Sequence, residues 1–201
     1  MRSERRQALL QAMLDELAAK GYEDASVGAA LGVSGVSPEE FESEFPGKDE
    51  CLFAAYEDVR ARIVDRVKTV CEAGSDWPTG VREGLRALLD AIAARPAVAG
   101  AMTRAFPAIR PAAYRLYVEF VSDFVPLMRG GREYAEVDEE LPDEVELLAV
   151  GAAESLIFAE VDAGRAERLP SMLPEILFCV LVPFVGPDRA GEEMRGAAAV
   201  R

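Results

Sequence analysis

Four cations near the start of the chain, Arg2, Arg5, Arg6 and Lys48, are of the type that meets an anion, and two hydroxyls, Ser26 and Ser37, stand where helices begin. A guanidinium or ammonium group beside the free backbone N–H groups of a helix start suits phosphate, the cation by charge and the N–H groups by donation. Four carboxylates interrupt this set: Glu39, Glu40, Glu42 and Glu44 lie between Ser37 and Lys48. Residues 1–60 hold six basic and thirteen acidic side chains, a net of −7, and the whole chain has a net of −14. A nucleic-acid binder draws much of its affinity from neutralised phosphates, so such a function demands a local basic patch here. Glutamate accepts a hydrogen bond from cytosine N4 in the major groove, which keeps Glu39, Glu40 and Glu42 among the candidate contacts.

Catalytic chemistry finds less support. Histidine is absent from all 201 residues. That removes the commonest general base and metal ligand, and excludes every nucleophilic triad that uses an imidazole. No catalytic residue, metal-ligand set or cofactor is implied, and the expectation is a protein that is not an enzyme. Cys51, Cys71 and Cys179 are odd in number and lack metal-ligand spacing, as buried thiols in a reducing compartment would.

Half the residues are hydrophobic and 29% are charged, a balance that describes a globular chain rather than a disordered one. The longest apolar run, Ile176 to Val185, falls short of the roughly 18 residues of a membrane helix and contains Pro183. The start, Met1 to Arg6, leads into an amphipathic stretch rather than an apolar signal core. A cytoplasmic protein with no membrane partner is expected.

Helices must position the cations. Leu10, Met13, Leu14 and Leu17 recur at three- and four-residue steps between Ser3 and Lys20, and Gly21 closes that helix. A short segment from Ser26 to Leu31 leads to a small-residue turn at Ser34-Gly35. Ser37, Pro38 and Glu40 then form a capping box with proline at the first helical position. Phe41 and Phe45 face one side, and Pro46-Gly47 ends the segment. Lys48 opens a long helix to about Cys71. Further helices are predicted over about 79–94, 97–105, 111–129, 142–163 and 166–185. Gly130-Gly131 and residues 133–140 read as a solvated loop, and 188–201 as a loosely held tail. Strand signals are nearly missing, so the fold class is all-α.

A longer helix followed by two short ones around a glycine turn makes a helix-turn-helix pattern, in which the second short helix enters the major groove. Any three-helix unit shares that spacing. Carboxylates in a first turn favour the helix dipole, which accounts for Glu40, while Glu42 and Glu44 read as a solvated face.

The run Gly21-Tyr22-Glu23-Asp24-Ala25-Ser26-Val27, then Gly35-Val36-Ser37, Phe41 and Phe45-Pro46-Gly47-Lys48-Asp49-Glu50 with Leu52, resembles the N-terminal domain of the tetracycline-repressor (TetR) family over about residues 7–56. The resemblance implies a helix-turn-helix DNA-binding domain, here residues 1–47. It also implies a helical ligand-binding and dimerisation domain, here 48–201. The whole would act as a homodimeric regulator, a repressor by expectation, binding double-stranded operator DNA and answering to a small apolar ligand. Ser26 would cap the second helix and touch a phosphate, Ser37 would begin the recognition helix, and Lys48 would reach the DNA backbone. Where that family places threonine, tyrosine and basic residues to read bases, this chain has Pro38, Glu39, Glu40, Glu42 and Glu44. DNA contact therefore falls to Lys48 and to an arm carrying Arg2, Arg5 and Arg6. A degenerate member that has lost DNA binding and meets a protein or small molecule is the alternative.

In that family the ligand site lies among the middle helices, so Trp77, Met102, Phe106, Tyr114, Tyr117, Phe120 and Phe124 are its candidate lining, although ordinary core is the commoner role for any one of them. The last helices are apolar on more than one face. Leu148, Gly151, Ala152, Ser155, Leu156 and Ala159, with Ile176, Leu177, Val180 and Phe184, are the candidate dimer interface.

Overall fold

Leu10, Met13, Leu14 and Leu17 share one face of α1 (Ser3–Asp24), and all four are buried. The computed structural model describes residues 3–109, 118–135 and 141–199, and among these every regular element is helical. The fold is all-α. Gly21 interrupts α1 with φ 77° and ψ 173°, a left-handed position that suits glycine, before one more turn. Ser26 caps α2 (Val27–Ser34) by accepting from the Ala29 N–H at 3.3 Å. Gly35, at φ 67°, ends α2 in the left-handed cap expected of a helix C-terminus. The third helix, α3, spans Pro38–Glu42 and has only five residues. Phe45 lies beyond its end, yet it is buried with Phe41, their rings 5.6 Å apart.

From Lys48 a single helix, α4, runs to Glu72. The chain forms two compact units. One contains α1 to α3 and the start of α4, with α6 (Pro96–Ile109) from Ala97 onward; the other takes Arg62–Pro96 and the described residues beyond 115. The boundary expected at 47/48 thus falls inside the first unit. Cys51, Leu52 and Ala55 of α4 are wholly buried in its core, and Val98 and Ala101 of α6 pack there too. Burying a leucine such as Leu52 contributes about 1.5–3 kcal/mol, which ties the start of α4 to this core.

The second unit begins with the close approach of α4 to α5 (Trp77–Ala93), where a Cβ on Gly80 would lie 2.5 Å from the Cys71 carbonyl oxygen. The helix expected to run through to 129 is interrupted. Residues 118–122 are helical, Asp123-Phe124 turn, and a single turn covers Val125–Met128. Pro126 lacks the N–H that a continuous helix needs. Gly130-Gly131, expected in a solvated loop, sit instead in a 3-10 turn, Arg129–Tyr134, with Gly131 buried. The chain continues as α7 (Val145–Asp162), a 3-10 segment (Ala166–Met172) and α8 (Leu173–Ala199).

The expected loose tail after 188 is corrected by α8. Gly186 breaks its helical geometry at φ 74°, and the helix then resumes with Ala190, Gly191 and Ala197 buried. Arg82 of α5 donates to Glu193 at 3.1 Å. The stretch Ala166–Ala199 is long and apolar enough to cross a membrane by length and composition. Its Ile176, Leu177, Leu181 and Phe184 are spent on the core of the protein itself.

Candidate nucleic-acid interface

The start of α3 is fixed from within. The Ser37 hydroxyl accepts from the Glu40 N–H at 3.2 Å, and the Ser37 N–H donates to Glu40 Oε2 at 3.1 Å, so both halves of the expected capping box form. Glu40 is held below the ordinary carboxylate range, first by that backbone N–H and then by Arg5. Glu39 is lowered by its own backbone N–H and by Ser37. Pro38, Glu39, Glu42 and Ser43 are exposed, while Phe41 turns inward. The outward side of α3 is therefore acidic, with no basic side chain on the helix.

The cations expected to serve phosphates are turned toward other parts of the chain. Arg5 and Arg6 belong to helix α1 rather than to a flexible arm, and Arg2 lies outside the described residues. Arg5 Nη1 donates to both Glu40 oxygens, at 3.2 and 3.1 Å. Arg6 pairs with Glu44, and its guanidinium carbon stands 5.7 Å from the centre of the Phe45 ring. Glu44 is thus an ion-pair partner and not the solvated side chain expected of it. Both pairs are partly open to water. Lys48 donates to the carbonyl oxygens of Tyr22 and Glu23, at 2.7 and 3.3 Å. Tyr22 in turn donates its hydroxyl to Asp49 at 2.6 Å. Ser26, besides capping α2, donates its N–H to Glu16, whose carboxylate also takes Lys20 at 2.8 Å.

In the second unit Trp77 is enclosed. Its indole N–H donates to the Leu127 carbonyl at 2.9 Å, and its ring meets Phe184 edge-on at 5.1 Å and Tyr134 at 5.7 Å. Gly130 and Gly131 press so near that a Cβ on Gly131 would lie 2.6 Å from both the Phe184 and Trp77 rings. Trp77 is half-buried and packs against these groups. Phe120 and Phe124 stack edge-on at 5.1 Å in the same unit, whereas Met102, half-buried, packs against the core of the first. Tyr114, Tyr117 and the side chain of Phe106 lie outside the described residues.

The two halves of the expected dimer surface part company. Ile176, Leu177, Val180 and Phe184 are buried within the single chain, so they are core and offer no face to a second copy. On α7, Leu147, Leu148 and Phe158 are exposed, Leu148 by 64%. Ser155 and Ala159 are also exposed, and Gly151, Ala152 and Leu156 are half-buried beside them. Burial pushes the Glu154 carboxyl up at the edge of this stripe.

Two further ion pairs in the second unit are not marked by the sequence pattern. Arg132 donates to Glu146 through Nε at 2.5 Å and Nη2 at 3.0 Å, and also to the Pro142 and Asp143 carbonyls. The fork lowers the Glu146 pKa, chiefly by hydrogen bonding. Arg165 grips Glu160 in the same bidentate way, at 2.9 and 2.7 Å. Burial raises the Cys51 thiol to about 12 and Cys71 to about 11, so both are protonated at neutral pH. Set against family models, curated proteins and solved structures, the chain matches none.

Proposed function

We propose that this chain is a homodimeric, ligand-responsive DNA-binding regulator of the TetR type, with α3 as its recognition helix. The observation that supports this reading is the α2–Gly35–α3 arrangement. Two capped helices meet at a left-handed glycine, brace against α1 through Phe41 and Phe45, and leave the outer side of α3 open. A groove-reading helix needs that combination of rigid inner face and free outer face. A small apolar molecule would bind the second unit.

Binding is measured by fluorescence anisotropy with labelled duplexes tiling the DNA upstream of its own coding sequence. The expected result is association at low salt that weakens steeply as salt rises. Joint replacement of Arg5 and Arg6 by alanine weakens it by roughly tenfold or more. Absence of any association at low salt, with the protein folded, overturns the DNA reading. A second reading is favoured by the inward pairing of Arg5, Arg6 and Lys48: a relative that has given up DNA and presents acidic α3 to a basic protein.

A further inference from the structure

Arg5 and Arg6 are adjacent on α1, and Glu40 and Glu44 are four residues apart, so the two ion pairs lie side by side between α1 and the α3 segment. Each guanidinium already holds a pair of oxygens or one oxygen in the way a phosphate would be held. The Glu40 carboxylate is anchored independently by the Ser37 N–H, so it stays in place whether or not Arg5 is bound. Arg6 is steadied by the Phe45 ring as well as by Glu44.

We propose that Glu40 and Glu44 are built-in stand-ins for DNA phosphates, holding Arg5 and Arg6 to the protein until a duplex displaces them. This rests on the DNA-binding reading above and adds a self-inhibitory contact to it. The pairs are half-open to solvent, and exposed pairs of this kind shift equilibria only by about twofold to fivefold. A duplex with many phosphates can therefore outcompete them, while a weak, non-specific contact is discouraged. Glu42 is the comparison, and because it is itself a candidate base contact the dependence on Arg6, and not the size of the gain alone, decides the matter. It is exposed on the same segment, carries the same charge, and is not among the partners of either arginine.

The experiment compares Glu44→Gln with Glu42→Gln, each alone and with Arg6→Ala, by anisotropy with the same upstream duplexes at fixed low salt. Circular dichroism confirms that every variant is folded. Each glutamine variant loses one repulsive charge, and Glu42→Gln also alters a candidate base contact. Glu44→Gln is expected to gain about twofold to fivefold more than Glu42→Gln, and that excess disappears when Arg6 is alanine. Equal gains from the two glutamine variants, or an excess that survives Arg6→Ala, overturn the self-inhibitory contact while leaving DNA binding standing. Failure of the wild type and all variants to bind removes the DNA reading and this contact together.

Discussion

The ammonium of Lys48 rests 2.7 Å from the Tyr22 carbonyl oxygen and 4.6 Å from the centre of the ring of the same residue. One side chain thus takes up a backbone acceptor left at the end of α1 and covers an aromatic face. With the Tyr22–Asp49 hydrogen bond it makes a two-way tie between the end of α1 and the start of α4. Lys48→Met keeps the length and loses the charge and its donors. It is expected to lower stability by about 1–2 kcal/mol, read from the urea midpoint at unchanged slope. An unshifted midpoint would mean that the tie contributes nothing to the fold.

Gly131 has no room for a side chain, because a Cβ there would strike Trp77 and Phe184. Gly131→Ala is expected to cost about 1–3 kcal/mol through forced repacking. Trp77 is the single tryptophan of the chain, so its emission reports directly on this spot. The variant should melt earlier and emit further to the red. A variant with wild-type emission and melting would show that the 3-10 turn yields at no cost.

The Glu146–Arg132 fork gives stability a defined pH dependence. The folded carboxyl titrates below its unfolded value, so its contribution is complete above the unfolded pKa of about 4.3 and is lost as pH falls through the lowered one. Glu146→Gln should therefore unfold at lower urea than the wild type at pH 7. The gap should close in acid, below the usual carboxylate range. A gap of constant size from neutral pH into acid would assign the effect to packing rather than to charge.

If the exposed stripe on α7 is where two copies meet, a charge there will separate them. Leu148→Glu is expected to convert a dimer to a monomer in sedimentation velocity, with helicity unchanged, because an unpaired carboxylate would be desolvated at the contact. A wild type that sediments as a monomer at all concentrations would remove this face from consideration.

Short-range chemistry was legible in the sequence. Ser37, Pro38 and Glu40 marked the start of α3, Gly21 and Gly35 marked the breaks, and Phe41 and Phe45 were placed on the inner side, since each depends on neighbours within a few residues. The charges of the candidate site were harder. Arg5 meets Glu40 across 35 residues and Arg6 meets Glu44 across 38, and no spacing rule pairs side chains that far apart. The same blindness made Gly131 a loop residue when it is a contact for Trp77. It made the end of α8 a tail, because Ala190, Gly191 and Ala197 are too small to print an apolar stripe on the pattern.

Gly186 has a practical corollary for anyone altering this end of the chain. After it the helix resumes in the second unit with Ala190, Gly191 and Ala197 buried, and Glu193 fastens that run to Arg82. Removing this run would free Arg82 and open the surface that Ala190, Gly191 and Ala197 fill, so it would lower stability as no expendable appendage does.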